Sequence, residues 1–227
     1  MNSVFNPLMK WFLTRFYDLL YHSMAWIYDI VSASVSLGHW NDWVRVVLPE
    51  IKGLRVLELG FGPGHLLLAI GNTGVRVVGL DESGQMCRIA NRRLHKKRNS
   101  SYQNIVVRGR AESLPFLEEG LDCIVATFPS DYILDLRTVT ECFRVLKPGG
   151  QVVILVGVKI GGSRWYRRFL RQIYQITHQS VEEIEAHTNW ITPIKRVGFQ
   201  VDSIKRQYLE DELSIVLLVK DETPFSS

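Results

Sequence analysis

Val56-Leu57-Glu58-Leu59-Gly60-Phe61-Gly62-Pro63-Gly64-His65, continuing into Leu66-Leu67-Leu68-Ala69-Ile70, is the stretch whose reading decides the fold. Val56 to Leu59 read as a short buried strand, glycines recur at every second position from Gly60 to Gly64, and an apolar segment of helical character follows at once. Glycine lets a chain turn sharply and lets its backbone approach a ligand with no Cβ in the way. A helix opening near Gly64 presents unpaired N–H groups and the positive end of its dipole, which suits an anionic ligand group. A glycine-rich turn alone also serves ordinary structural turns, so the spacing matters. A dinucleotide loop requires G-x-G-x-x-G. Here the pattern is E-x-G-x-G-x-G, with Glu58 ahead of the first glycine, and the stretch reads as a strand–glycine loop–helix nucleotide site.

Strands and helices alternate downstream. Val75–Leu80 reads as a second strand ending in Asp81, roughly twenty residues past the loop, where nucleotide folds place an acid for ribose hydroxyls. A carboxylate accepts two hydrogen bonds from a vicinal diol; capping a helix at the strand end is the plainer use of the same residue. Ser83 is placed to cap a helix over Gly84–Lys97, and Asn104–Arg108 reads as a third strand. The fourth is Leu121–Phe128, whose carboxyl end, running from Thr127 to Tyr132, borders the site, because ligands bind beyond the carboxyl ends of parallel strands. Thr138–Leu146 is helical, Lys147-Pro148-Gly149-Gly150 turns the chain, and Gln151–Val156 is a strand. Thr188–Val197 reads as the last helix, with Phe199–Arg206 and Leu213–Val219 as a closing pair of strands. Such alternation predicts a doubly wound, mostly parallel α/β sheet.

The chain has 227 residues, 46% of them hydrophobic, enough for one α/β domain with a sizeable core. Its three cysteines, Cys87, Cys123 and Cys142, form no CxxC pair and each falls in an apolar or helical segment, so they read as buried free thiols in a reducing cytoplasm. The scattered histidines form no metal-ligand cluster, and no metal is expected. The opening MNSVFNPLMKWFLTRFYDLL has no basic leader or small-residue cleavage site, and Lys10, Arg15 and Asp18 interrupt its apolar run, so it does not read as a signal peptide. No stretch reaches the roughly 18 apolar residues of a membrane span. The net charge of +4 is modest, but its distribution is uneven. No acid stands between Cys142 and Val181, where Arg164, Arg167, Arg168 and Arg171 cluster, and a second basic run covers Arg88 to Arg98.

Two amphipathic segments stand outside the alternation. Asn6-Pro7 starts a helix on which Phe5, Leu8, Phe12, Phe16 and Leu20 share a face. It reads equally as a core-packed helix or as a hydrophobic lid that touches a membrane or greasy substrate. Over Ser163–His178, Trp165, Phe169, Ile173 and Ile176 share one face and the arginines another. That helix packs on the core with a solvated charged face, or binds an anionic membrane, nucleic acid or partner. No aromatic-stacking RNA module accompanies it, which ranks membrane or lipid above RNA.

The loop motif resembles the first motif of the class I S-adenosylmethionine-dependent methyltransferases. The resemblance implies that the methionine part of S-adenosylmethionine lies along Gly60–Gly64, its carboxylate near the helix start, with Glu58 holding the loop or meeting the ammonium group through water. D-x-S-x-x-M (Asp81, Ser83, Met86) resembles the second motif. Tyr28-Asp29, then Ser36-x-Gly38 and Trp43, resembles the N-terminal segment of the ubiquinone/menaquinone-biosynthesis methyltransferases (the type 11 group), where it precedes the cofactor domain and helps to cap the active site. Ala111-Glu112-x-Leu114-Pro115-Phe116 and the run E-x-x-R-V-L-K-P-G-G from Glu141 to Gly150 are similar to that group as well. Arg110 departs from it, standing where the group has an acid, so either Glu112 or backbone alone is left to meet the adenine amine. The N-P-P-Y of amino-group methyltransferases is absent, as are the quinone group's Arg-Asn and Glu-Phe-Ser.

The fold implied is a Rossmann-like, seven-stranded sheet with its last strand antiparallel, residues 1–50 forming a helical lid and 51–227 the cofactor domain. The implied cofactor-binding set is Glu58, Gly60, Phe61, Gly62, Gly64, Asp81, Glu82, Met86, Ala111, Glu112 and Thr127; Tyr28, His39, His65, Asp131 and Tyr132 are candidates for lining the acceptor site. No catalytic residue is named, because transfer from a sulfonium is an in-line displacement whose rate alignment and exclusion of water can supply. The expectation is a cytoplasmic methyltransferase, peripheral on an anionic membrane, acting on a small or lipidic hydrophobic acceptor that is quinone-like or phospholipid-like. An RNA methyltransferase and a non-enzymatic nucleotide-binding module remain as alternatives.

Overall fold

In the computed structural model, which describes residues 38–96, 105–161 and 190–221, the apolar run before the glycines is an interior strand of a seven-stranded sheet. This strand, β1 (Arg55–Leu59), pairs in parallel with β2 (Arg76–Asp81) on one side and β4 (Leu121–Thr127) on the other. β3 (Ile105–Arg108) lies parallel beside β2, and β5 (Leu146–Lys159) parallel beside β4. β7 (Asp211–Lys220) runs antiparallel to β5, and β6 (Phe199–Tyr208) closes the edge antiparallel to β7. The order is β3-β2-β1-β4-β5-β7-β6. This is the doubly wound sheet that the alternation predicts, with its last strand reversed.

Side chains alternate between sheet faces along a strand, so each strand contributes to two cores. One face collects Val56, Val77, Cys123, Val125 and Val153 under α1 (Trp40–Arg45), α2 (His65–Gly71) and α3 (Gly84–Lys96). The other collects Leu57, Leu59, Ile124, Ala126 and Val152 under α4 (Leu136–Val145) and α5 (Ile191–Val197). A parallel strand covered on both faces needs a continuous apolar run, which β4 supplies in Cys123-Ile124-Val125-Ala126. All three cysteines are buried, and burial pushes the Cys123 and Cys142 thiols up to about 11 and about 12.

Three local readings change. Lys147–Gly150 is not a turn between helix and strand but part of β5: pairing passes from Leu121↔Leu146 to Cys123↔Gln151, so four residues bulge opposite Asp122, with Gly149 at φ +74. α4 begins two residues earlier than its apolar pattern, because Asp135 caps it by accepting from Arg137 N at 2.8 Å. The Glu141–Arg144 pair reaches beyond its own helix-to-strand connection. Glu141 accepts from Leu114 N at 2.7 Å, while Arg144 donates to the carbonyls of Phe116 and Leu114 at 2.9 and 3.0 Å. The pair staples the loop after β3 to α4. The expected helices over 6–21 and 163–178 and the Tyr28-Asp29 segment lie outside the described residues.

α1 is tied to the far end of the sheet. Trp43 Nε1 donates to Asp211 at 3.0 Å, and Tyr208 Oη donates to Asp42 at 2.8 Å. Among the described residues no helix is long and apolar enough to cross a membrane.

Leu57 sits at the centre of β1 with no exposed surface. Leu57→Ala leaves a cavity between rigid neighbours and is expected to cost about 2–5 kcal/mol, read as a lower midpoint in chemical denaturation with the slope unchanged.

Candidate functional site

The strand order reverses beside β1: the chain moves outward through β2 and β3, then returns to lay β4 and β5 on the opposite side. At such a switch point the loops beyond the carboxyl ends separate and leave a crevice. The glycine loop lies there. Gly60, Gly62 and Gly64 all adopt positive φ (+63, +52 and +81), but for different reasons. A Cβ on Gly60 would come within 2.7 Å of Tyr132 Oη, and one on Gly64 within 2.9 Å of Ala90 Cβ in α3. A Cβ on Gly62 would meet nothing within 4 Å. Two of the glycines therefore serve packing, while the middle one leaves backbone open for a ligand to approach.

Two acids support this loop. Asp81, at the end of β2, accepts from Gly62 N at 3.0 Å through one oxygen and from Ser83 N at 2.8 Å through the other. Burial raises its pKa, and those two N–H groups pull it back. Each oxygen keeps a second lone pair, so the carboxylate can still accept from a diol. Ser83 in turn accepts from Met86 N at 3.3 Å, capping α3 as the sequence predicts. Glu58 points by alternation to the face that carries Val56; it is 2% exposed, and its Oε2 has no hydrogen-bond partner among the described residues. Burial first, and then the nearby Asp81 charge, push its carboxyl well above the ordinary carboxylate range.

Beyond Asp81 a cleft of about 580 Å³ opens between the turn at Glu82–Gln85 and the end of β3, where Arg108 and Arg110 line it. Arg108 is fixed against the turn, its Nε donating to Glu82 O at 3.0 Å. Arg110 holds Glu112 through bonds of 3.0 and 3.4 Å, and this guanidinium keeps the Glu112 carboxyl below its usual range. Glu112 is thus ionised and fixed beside Arg110, while the neighbouring Ala111 is buried. The open Gly62 backbone, an acceptor oxygen without a donor at Glu58, a carboxylate at Asp81 and the cleft beyond it fit a ligand that carries a cationic group, a diol and a planar base.

The remaining predicted residues divide. Phe61 and Met86 are both 4% exposed and their side chains belong to the core; Gly79 leaves the space into which the Phe61 ring packs, since a Cβ there would lie 2.6 Å from it. Thr127 ends β4, and His65 opens α2. Tyr132 lies over Gly60 from the short 3-10 turn Asp131–Leu134, whereas Asp131 is exposed. His39 is drawn toward the β6–β7 end, its ring 5.7 Å from Tyr208 and its Nδ1 3.9 Å from Asp42. Tyr28 lies outside the described residues. Phe128 belongs to the stretch from Thr127 to Tyr132 that the sequence sets at the border of the site, but nothing in the sequence marks its conformation. It takes φ +47 immediately after β4, donates its N–H to Leu155 O at 2.8 Å, and sets its ring 4.7 Å from that of Trp40 in α1. No local signal marks a phenylalanine for that backbone region; a hydrogen bond from the neighbouring strand holds it there.

Residues 57–154 match a family described as a methyltransferase domain. The chain is 34% identical over 150 residues to the ubiquinone/menaquinone biosynthesis C-methyltransferase of Erwinia tasmaniensis, covering 60% of this chain and 57% of that relative's length. It is 26% identical over 204 residues to the demethylmenaquinone methyltransferase of Tropheryma whipplei, covering 87% of this chain and 80% of the relative. Among solved structures, the phosphoethanolamine N-methyltransferase 2 of Haemonchus contortus, in complex with S-adenosylhomocysteine, superposes with a TM-score of 0.57 at 18% identity, covering 81% of this chain and 53% of that one. That likeness concerns the fold. The glycine loop, the sheet order and the family match agree on a methyltransferase domain over residues 57–154, in a chain similar to the ubiquinone/menaquinone-biosynthesis methyltransferases.

Proposed function

We propose that this protein transfers a methyl group from S-adenosylmethionine to a quinone-type acceptor. The observation that carries the reading is the glycine loop at the switch point, in which Gly60 and Gly64 are closed by neighbours and Gly62 is left open. When bound, S-adenosylmethionine supplies a methyl group on a sulfonium. In this reading Gly60–Gly64 bear the amino-acid part, Glu58 faces its ammonium group and Asp81 accepts from the ribose hydroxyls. The base enters the cleft beside Glu82, Ala111 and Glu112. Tyr132 shields the loop from water, and Thr127 and Phe128 border the acceptor. Displacement at a sulfonium gains most from alignment in a dry pocket, and the aromatic pair Trp40–Phe128 beside the end of β4 offers apolar walls of the kind a ring-bearing acceptor needs. The names of the two relatives support the quinone class; this chain's own acceptor is the subject of the test.

Transfer from labelled methyl donor to separated quinone, lipid and RNA fractions is expected to label the quinone fraction. Label in phospholipid or RNA would replace the acceptor class, and none at all would leave a nucleotide-binding module. Asp81→Ala is expected to weaken cofactor binding by about 1–3 kcal/mol in calorimetry, the cost of charge-assisted bonds left unmade.

Glu112, fixed by Arg110, stands in for the missing acid at the adenine amine. Glu112→Gln should accordingly weaken cofactor binding more than Arg110→Ala does; equal and negligible losses would assign the adenine contact to the backbone around Ala111.

A lipid-soluble acceptor also places the enzyme at a membrane surface, in keeping with the amphipathic patterns over 5–20 and 163–178. Each basic residue near an anionic surface contributes about 1 kcal/mol, an attraction that fades with salt. Flotation with anionic vesicles should succeed at low salt and fall when Arg164, Arg167, Arg168 and Arg171 become Gln. Protein left in solution beside such vesicles would place the acceptor among soluble metabolites.

A further inference from the structure

Glu58 is a feature of the site that packing alone does not explain. A carboxyl group in the middle of an interior strand, 2% exposed and with one oxygen that finds no donor among the described residues, is poorly placed to carry a charge by itself. Its register neighbours on β2 and β4, Gly79 and Val125, offer no side-chain donor. The same face carries a second acid, Asp81, whose oxygens are turned to Gly62 and Ser83. From β4 it carries Cys123, a thiol pushed up to about 11 by burial. α2 brings His65. α3 brings Cys87, whose thiol burial also raises, and Arg93, which donates to the carbonyl of Pro63. On α1, His39 and Asp42 are gathered at Tyr208. Among the described residues the charged group that acts on Glu58 is Asp81, and it repels. Left to this environment, the carboxyl keeps its proton.

We propose that Glu58 senses ligand charge by exchanging a proton: it is neutral in the ligand-free protein, and it ionises, losing its proton to solvent, when a ligand bearing a cationic amino group binds beside the loop. The inference rests on the cofactor reading above. The step balances simply. The carboxyl O–H bond breaks, the proton passes to water, and the carboxylate left behind pairs with the ammonium group, so the buried site gains no net charge from the pair. A ligand without the amino group gives the carboxyl no reason to ionise. The loop would thereby distinguish the complete cofactor from nucleosides that share its base and ribose.

The direction with pH follows. The free carboxyl holds its proton below its raised pKa, and the bound ammonium lowers that pKa, so binding releases a proton in the window between the two values. Affinity for an amino-bearing ligand then rises by about tenfold per pH unit through that window and levels off above it. The test is calorimetry over a series of pH values in buffers of different ionisation heat, with S-adenosylhomocysteine and 5′-methylthioadenosine as probes. Proton release that approaches one per site within that window is expected with S-adenosylhomocysteine and none with methylthioadenosine. In Glu58→Gln the release should vanish and the pH dependence flatten. Should that variant fail to fold, the contrast between the two probes on the wild-type protein decides. S-adenosylhomocysteine binding without proton release, equal release with both probes, or release that persists in Glu58→Gln would each overturn the inference while leaving the cofactor reading intact. Binding of neither probe would overturn the cofactor reading, and the inference with it.

Discussion

The carboxylate of Asp81 accepts from the N–H of Gly62 with one oxygen and from that of Ser83 with the other, and the arrangement of the site depends on this bridge. It joins the loop that leaves β1 to the turn that leaves β2, so two neighbouring parallel strands end in one connected surface. The constraint is demanding because Gly62 sits at positive φ with open space beside it; no side chain could pack to hold it there. A hydrogen bond to the next strand does that work. Through Ser83 the same carboxylate sets the start of α3, whose residue Ala90 then closes on Gly64. Loop, turn and helix are positioned together.

Around this bridge the protein separates stiffness from access. Both cores are formed by alternate residues of the same strands, which makes β1 and β4 rigid supports. The loop after β3 is fixed by side chains instead: Glu141 and Arg144 reach across from α4 to its backbone, each satisfying groups that a short apolar loop would otherwise leave without partners. α1 is held by Trp43 and Asp42 to the β6–β7 end, yet its Trp40 reaches the mouth of the site and rests on Phe128. The reversed strand β7 thus anchors, through Asp211, the helix whose Trp40 rests on Phe128. Phe128, in a backbone region that costs a non-glycine residue of order 1–3 kcal/mol, is the strained member of this arrangement and lies where the acceptor is proposed to enter.

Much of this was legible in the residues. Strand and helix existence followed from apolar runs and their period, and the doubly wound order from their alternation. Asp81, Ser83 and the glycines were identifiable because their chemistry is local: a glycine reports positive φ, and an acid at a strand end reports a cap or a diol. Three kinds of feature were not legible. Whether Phe61 and Met86 face ligand or core depends on Gly79 and on the helices above, which are distant in sequence. The bulge at Lys147–Gly150 is decided by pairing with β4, since the same Pro-Gly-Gly would suit a turn equally well. The positive φ of Phe128 contradicts its own preference and is imposed from β5.

The sequence by itself therefore determined the class of sheet, the loop that carries the site and the acids beside it, because periodicity, glycine spacing and strand-end carboxylates act over a few residues. Tertiary structure alone decided which glycine stays open, which predicted contacts are core, and that Glu58 lies buried beside a second acid, with one oxygen lacking a donor among the described residues. Those outcomes depend on what other strands and helices bring within a few ångströms, and burial, on which the charge of Glu58 depends, is a property of the assembled fold.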